Sequence, residues 1–140
     1  MKKFVVDASV AVKWFVPEIQ SAAAERLLDP EIVLSAPDLI LSELGNTLWK
    51  KVRRREITSH EAEEIVTAFD SVPVEIYPSR ALLQAAFQLA VALDRSVYDS
   101  IYVALAVAQE CALVTADRKL HSVLATSVFA KHIQWIEDEL

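Results

Sequence analysis

The sequence predicts an α/β domain whose parallel sheet is covered by helices on both faces. Three observations carry that expectation. Short apolar runs such as Phe4-Val5-Val6 and Ala112-Leu113-Val114 read as strands buried on both sides. They alternate along the chain with stretches of helical spacing. Hydrophobic residues are 54% and charged residues 24% of 140 positions, enough for a real core in one domain over residues 1–140.

The elements follow in order. Lys3–Val6 is the first strand, and Ala8–Phe15 a helix that Pro17 stops. "SAAAERLLD" is helical by its apolar spacing, with Pro30 beyond it. Ile32–Ser35 is the second strand. Pro37 opens a long helix to about Arg55, with Leu41, Leu44 and Leu48 on its apolar stripe. "TSHE" is a capping box, Thr58 with Glu61, starting a helix to about Phe69. Val72–Ile76 is a third strand. Ser79 caps "RALLQAAFQLAVAL" and Ser96 caps "YDSIYVALAVAQ". Cys111–Thr115 is a strand, Lys119–Leu124 a short helix and His132–Trp135 the last strand. There is no internal repeat and no linker.

Composition excludes several functions. With one glycine, Gly45, no Gly-rich phosphate loop or dinucleotide fingerprint exists. No apolar run approaches the roughly 18 residues a membrane helix needs. The two opening lysines imitate a signal peptide, but Asp7 and Lys13 interrupt the apolar run too early. The single Cys111 forms no internal disulfide, and a cytoplasmic location is expected. The net charge of −6 is the wrong sign for a nucleic-acid binder, unless a local basic patch and bound cations carry the contact.

The acids are the informative residues. In open parallel sheets, ligands bind beyond the carboxyl ends of the strands. Asp7 follows the first strand and Asp117 follows "ALVT", so both sit on that edge, though each also suits a helix N-cap. Asp99, three residues after Ser96, suits the positive end of a helix dipole. Glu43 lies inside the long helix beside Ile40 and Leu44, with Asn46 along the same face. If the two strands are neighbours, about 4.8 Å apart, carboxylates about 5 Å apart repel by about 3 kcal/mol at a dielectric near 20. The sequence offers no interior arginine to neutralise them. Such a cluster implies a divalent cation, and all-oxygen ligation suits Mg²⁺ or Mn²⁺ rather than zinc.

The blocks "FVVDASV", "PDLILSELGNTLWK", "DRSVYDSIYVALA" and "LVTADRKL" resemble, in that order, a PIN-domain protein, and most of all the VapC-type toxin ribonucleases of toxin–antitoxin pairs. The resemblance implies an α/β/α sandwich with about five parallel strands and a metal-dependent endoribonuclease. Its invariant acids fall on Asp7, Glu43, Asp99 and Asp117, which would hold one or two ions. Its hydroxyl after the first aspartate falls on Ser9, its helix amide on Asn46 and its T-x-D threonine on Thr115, residues that would orient the carboxylates. It also implies an RNA substrate, an antitoxin partner, a homodimer and no membrane. Two features depart from the pattern. "QEC" stands where many relatives have a glycine, and Arg118-Lys119 where some have a further acid.

Substrate contacts are expected from Arg118, Lys119 and Arg95, which adjoin block acids, and from "KKVRRRE", residues 50–56, at the end of the Glu43 helix. Trp14 and Trp49 lie on segments that line the antitoxin groove in the toxin family. His60, His121 and His132 lack ligand spacing and are expected to be structural. Two other classes compete. One is a catalytically silent PIN-fold binding module. The other is a phosphotransfer domain, which would want D-x-D where this chain has Asp7-Ala8-Ser9.

Overall fold

The computed structural model describes all 140 residues. Its sheet has five parallel strands: β1 (Lys2–Val6), β2 (Ile32–Pro37), β3 (Val74–Tyr77), β4 (Ala112–Thr115) and β5 (Ile133–Trp135). Their order is β3-β2-β1-β4-β5. The middle strands β1 and β4 bury Val5, Val6, Leu113 and Val114 completely, as unbroken apolar runs require when both faces are covered.

Seven helices surround the sheet: α1 (Ala8–Ala11), α2 (Ser21–Glu25), α3 (Leu39–Arg53), α4 (Ser59–Phe69), α5 (Leu83–Leu93), α6 (Val97–Ala108) and α7 (Arg118–Ala125). The chain runs outward from β1 to β2 to β3, then returns across the sheet to β4 and β5. Right-handed crossovers put the helices of the outward leg on one face and α5 and α6 on the other. Accordingly α6 packs across β1, β2 and β4 with α5 against it, while α3 packs on α1 and β2 with α4 outside. The strand order reverses between β1 and β4, which opens a crevice at their carboxyl ends.

Most expected elements are present, and the differences have local causes. Pro37 does not open α3; it ends β2, paired in register with Tyr77, where its missing N–H is harmless. Helix α3 stops at Arg53, and Arg55 beyond it turns left-handed at φ 60°. The buried stripe of α3 is Ile40, Leu44 and Leu48, while Leu41 is 49% exposed. The expected helix after Asp7 has only one α turn and continues as a 3-10 turn, Val12–Trp14. Ser79 does not cap α5. It begins a 3-10 turn, Ser79–Ala81, and its N–H (3.1 Å) and hydroxyl both donate to the Asp38 carboxylate. The β2–β3 register brings Asp38 to this position and draws the hydroxyl away from the helix. The "QEC" turn places Glu110 at φ 53°, the left-handed conformation a glycine takes freely.

Candidate active site

The β1–β4 register pairs Val6 with Val114, so the next residues on each strand, Asp7 and Thr115, meet at the sheet edge. Thr115 Oγ1 donates to Asp7 Oδ2 at 2.5 Å, and Ser9 Oγ donates to Asp7 Oδ1 at 2.5 Å. Asp7 also caps α1 by accepting from the Val10 N–H at 3.2 Å. The capping role and the site role therefore coexist in one buried side chain. Desolvation dominates its ionisation and lifts the pKa from 3.8 to about 6, with Glu43 adding repulsion and the Ser9, Thr115 and Val10 hydrogen bonds opposing.

Asp117 repeats the pattern on the neighbouring strand. It caps α7, with Oδ1 accepting from the Lys119 and Leu120 N–H groups at 3.0 and 3.1 Å. Its own N–H donates to Thr115 Oγ1 at 3.0 Å, and the Ala116 N–H donates to Ser9 Oγ at 3.0 Å. Two hydroxyls thus stitch the Asp7 and Asp117 loops together. The direct cross-strand neighbour of Asp7 is the Thr115 hydroxyl rather than a second carboxylate, which softens the expected repulsion.

Glu43 projects from the α3 face that also carries Leu39, Asn46, Thr47 and Lys50. Tyr102, buried on α6, donates its hydroxyl to Glu43 Oε1 at 2.5 Å. Burial raises the Glu43 pKa and Asp99 adds to it, while the Tyr102 hydrogen bond opposes. Asp99 sits in the first turn of α6, whose cap Ser96 accepts from the Asp99 N–H at 3.1 Å. No arginine is buried among the acids, but the half-buried Arg95 meets one of them at the rim: its Nη2 lies 2.9 Å from Asp99 Oδ2. A left-handed Asp94 (φ 53°) ends α5 and turns the chain so that Arg95 faces the next helix.

Asp7, Glu43, Asp99 and Asp117, with Ser9, Asn46 and Tyr98, line one cleft of about 590 Å³. No three Asp, Glu, His or Cys side chains stand close enough together to grip an ion as positioned. The donor set fits a hard divalent cation all the same. It is entirely oxygen, two of its carboxylates are held above their usual pKa by burial, and Mg²⁺ retains several waters and takes only one or two carboxylates directly.

Other expected residues are placed differently. Arg118 stacks over the Trp135 ring, 3.9 Å from its centroid, and neither it nor Lys119 lines the cleft. The lysines that do are Lys13, Lys50 and Lys51. Trp14 is partly buried and donates to the Ala24 carbonyl at 2.8 Å. Trp49 is 51% exposed, lies under Arg53, and borders an α3–α4 groove with Val52 and Val66. The histidines are structural or superficial: His132 bonds the Cys111 carbonyl, His121 packs edge-on to Trp135, and His60 is exposed. Tyr102 and Lys13 were not singled out from sequence as site residues, whereas Lys51 belongs to the "KKVRRRE" stretch expected to contact substrate. Tyr102 stands one helical turn after Asp99, the spacing that puts both on one face.

A parallel α/β sandwich with an acid-lined cleft at its strand-order reversal is what the fold and the site together present. The chain belongs to the PIN-domain family, whose model matches residues 4–124. It is 39% identical over 122 residues to Ribonuclease VapC3 of Pyrobaculum aerophilum, covering 84% of this chain and 92% of that one. It is 35% identical over 124 residues to Ribonuclease VapC1 of Mycobacterium tuberculosis, covering 86% and 90%. Among solved structures, a Pyrobaculum aerophilum protein superposes with TM-score 0.71 at 24% identity, covering 97% of this chain and 85% of that one. Mycobacterium tuberculosis VapC20, a sarcin–ricin loop cleaving toxin, gives TM-score 0.66 at 18% identity, covering 91% and 98%. At these identities the superpositions speak for the fold.

Proposed function

We propose that this protein is a metal-dependent endoribonuclease of the VapC type, the toxin of a toxin–antitoxin pair. The observation that carries the reading is the gathering of Asp7, Glu43, Asp99 and Asp117, remote in sequence, around one cleft at the sheet's reversal point. Homologues across most of the chain are named ribonucleases, and divalent ions are the usual property of the family.

Asp7, Asp99 and Asp117 would hold the cation, Mg²⁺ or Mn²⁺ as one or two ions, with Glu43 completing the set. The cation supplies Lewis-acid charge at the phosphate and lowers the pKa of water. Ser9 and Thr115 orient Asp7, and Tyr102 orients Glu43, through hydrogen bonds to their carboxylates. Glu43 orients the attacking water and accepts its proton. The water oxygen joins phosphorus as the P–O3′ bond breaks, the leaving oxygen takes up a proton, and the products are a 5′-phosphate and a 3′-hydroxyl.

The partner is an antitoxin, for which the Trp49-bordered groove of α3 and α4 is the docking candidate. A homodimer is supported by Leu83, Phe87 and Val91, exposed at i, i+4 and i+8 along α5. No helix is long and apolar enough to cross a membrane; the proposed location is the cytoplasm. Incubating single-stranded RNA with the protein in Mg²⁺ and in EDTA tests the reading. Cleavage in Mg²⁺ alone, absent from Asp7→Asn, supports it; RNA intact under both conditions refutes it. The open spacing of the acids favours one alternative, a silent PIN-fold binding module, which that intact RNA would support.

A further inference from the structure

The acid-floored cleft also contains a second charged constellation. Lys13, from the 3-10 turn after α1, is only 7% exposed, yet lysines are almost never so buried without a partner. Its Nζ donates to Glu18 Oε1 at 3.1 Å and to the Ile19 carbonyl at 2.9 Å. Lys51, in the last turn of α3, donates to Glu18 Oε2 at 2.9 Å and lies 3.6 Å from Glu56. Each oxygen of one carboxylate is thus held by a different ammonium. Burial pushes the Glu18 pKa up, but the hydrogen bonds and charges of Lys51 and Lys13 together keep it below the usual carboxylate range. The adjoining Lys50, also on the cleft wall, takes part in none of the ion pairs.

We propose that Lys13 and Lys51 form a subsite for a backbone phosphate of single-stranded RNA, and that Glu18 fills it in the free protein as an internal stand-in. The inference rests on the nuclease reading above. A phosphodiester matches what the lysines now hold: one negative charge shared by two terminal oxygens. Lys51 shares α3 with Glu43, and Lys13 lies in the 3-10 turn that continues directly from the Ser9 helix, so the subsite is fixed relative to the acids. Glu18 comes instead from the irregular segment after Pro17 and is a quarter exposed, so its side chain can leave without opening the core. In a chain of net charge −6, cations inside the cleft give the RNA backbone its purchase beside four acids. Glu18 then competes with RNA and sets its affinity.

The test is binding of a labelled oligouridine in Mg²⁺, in an Asp7→Asn background that keeps the RNA intact, across a salt series. Glu18→Gln should tighten binding about 3- to 10-fold and steepen the salt slope by about one, because two cations are freed for phosphate. Lys51→Gln should weaken binding by a similar factor and flatten the slope by about one. Lys131→Gln, in the 3-10 turn before β5 and outside the cleft, should change neither. Glu18→Gln keeps one carbonyl oxygen and removes only the charge, and Glu18 lies outside the core, so it reads the subsite even if Lys51→Gln is poorly folded. Unchanged or weaker binding in Glu18→Gln overturns the subsite while leaving the nuclease intact if the wild type still cleaves. A wild type that neither cleaves nor binds RNA removes both.

Discussion

The Thr115 hydroxyl donates to the Asp7 carboxylate at 2.5 Å across 108 residues of sequence, and the same oxygen accepts from the Asp117 N–H at 3.0 Å. One buried hydroxyl therefore sets the position of two acids on neighbouring strands. Without it, Asp7 would keep its burial and lose a donor.

Thr115→Val, which keeps the shape and removes the hydroxyl, should lower metal affinity or activity about 10- to 100-fold. It should also cost about 1–3 kcal/mol of stability, because a buried carboxylate loses a partner. Mg²⁺ dependence of cleavage and thermal melts measure the two effects separately.

Asp7 makes a pH prediction with a definite sign. Its folded pKa, about 6, lies above its unfolded value of 3.8, so the folded state binds the extra proton. Stability from this group is full below pH 4 and falls as pH rises through 6, by up to about 3 kcal/mol for two units. Asp7→Asn removes that penalty and loses one charge-assisted hydrogen bond of about 1.5 kcal/mol. In EDTA it should therefore be about 1–2 kcal/mol more stable than wild type at pH 8, and the advantage should vanish by pH 4. Paired melts across that range decide it.

Tyr102→Phe removes the donor that fixes Glu43 and holds its pKa down. The acid limb of the pH–rate profile should move to higher pH, with kcat reduced about tenfold and stability changed by less than about 1 kcal/mol. An unmoved limb would detach Tyr102 from the chemistry.

Thr58→Ala serves as the contrast. Thr58 and Glu61 form the expected capping box at α4, far from the acids. Its loss should cost about 1 kcal/mol in melts and leave cleavage of RNA unchanged.

What the sequence revealed follows from which interactions are local. Strands β1 and β4 were legible as apolar runs, and Thr58 and Ser96 as caps, because their partners lie within three residues. Asp7 and Asp117 were legible as edge acids because each ends a strand. The partners of the acids were harder to see. Tyr102 looked like another apolar residue of a buried helix, and only the packing of α6 against β1 and β2 brings it to Glu43, 59 residues away. Lys13 sits in the apolar run "AVKWF", and its partner Lys51 arrives from another helix through Glu18. Ser79 was misread as a cap because Asp38, 41 positions earlier, competes for it.

The most direct measurement is calorimetric titration of Mn²⁺ into the wild-type protein and into Asp7→Asn, Glu43→Gln, Asp99→Asn and Asp117→Asn. If these four side chains act together as a cation site, the wild type binds the ion and every substitution weakens binding, with Asp7→Asn among the most severe. Equal affinity in all five proteins, or no binding in any, would contradict the account.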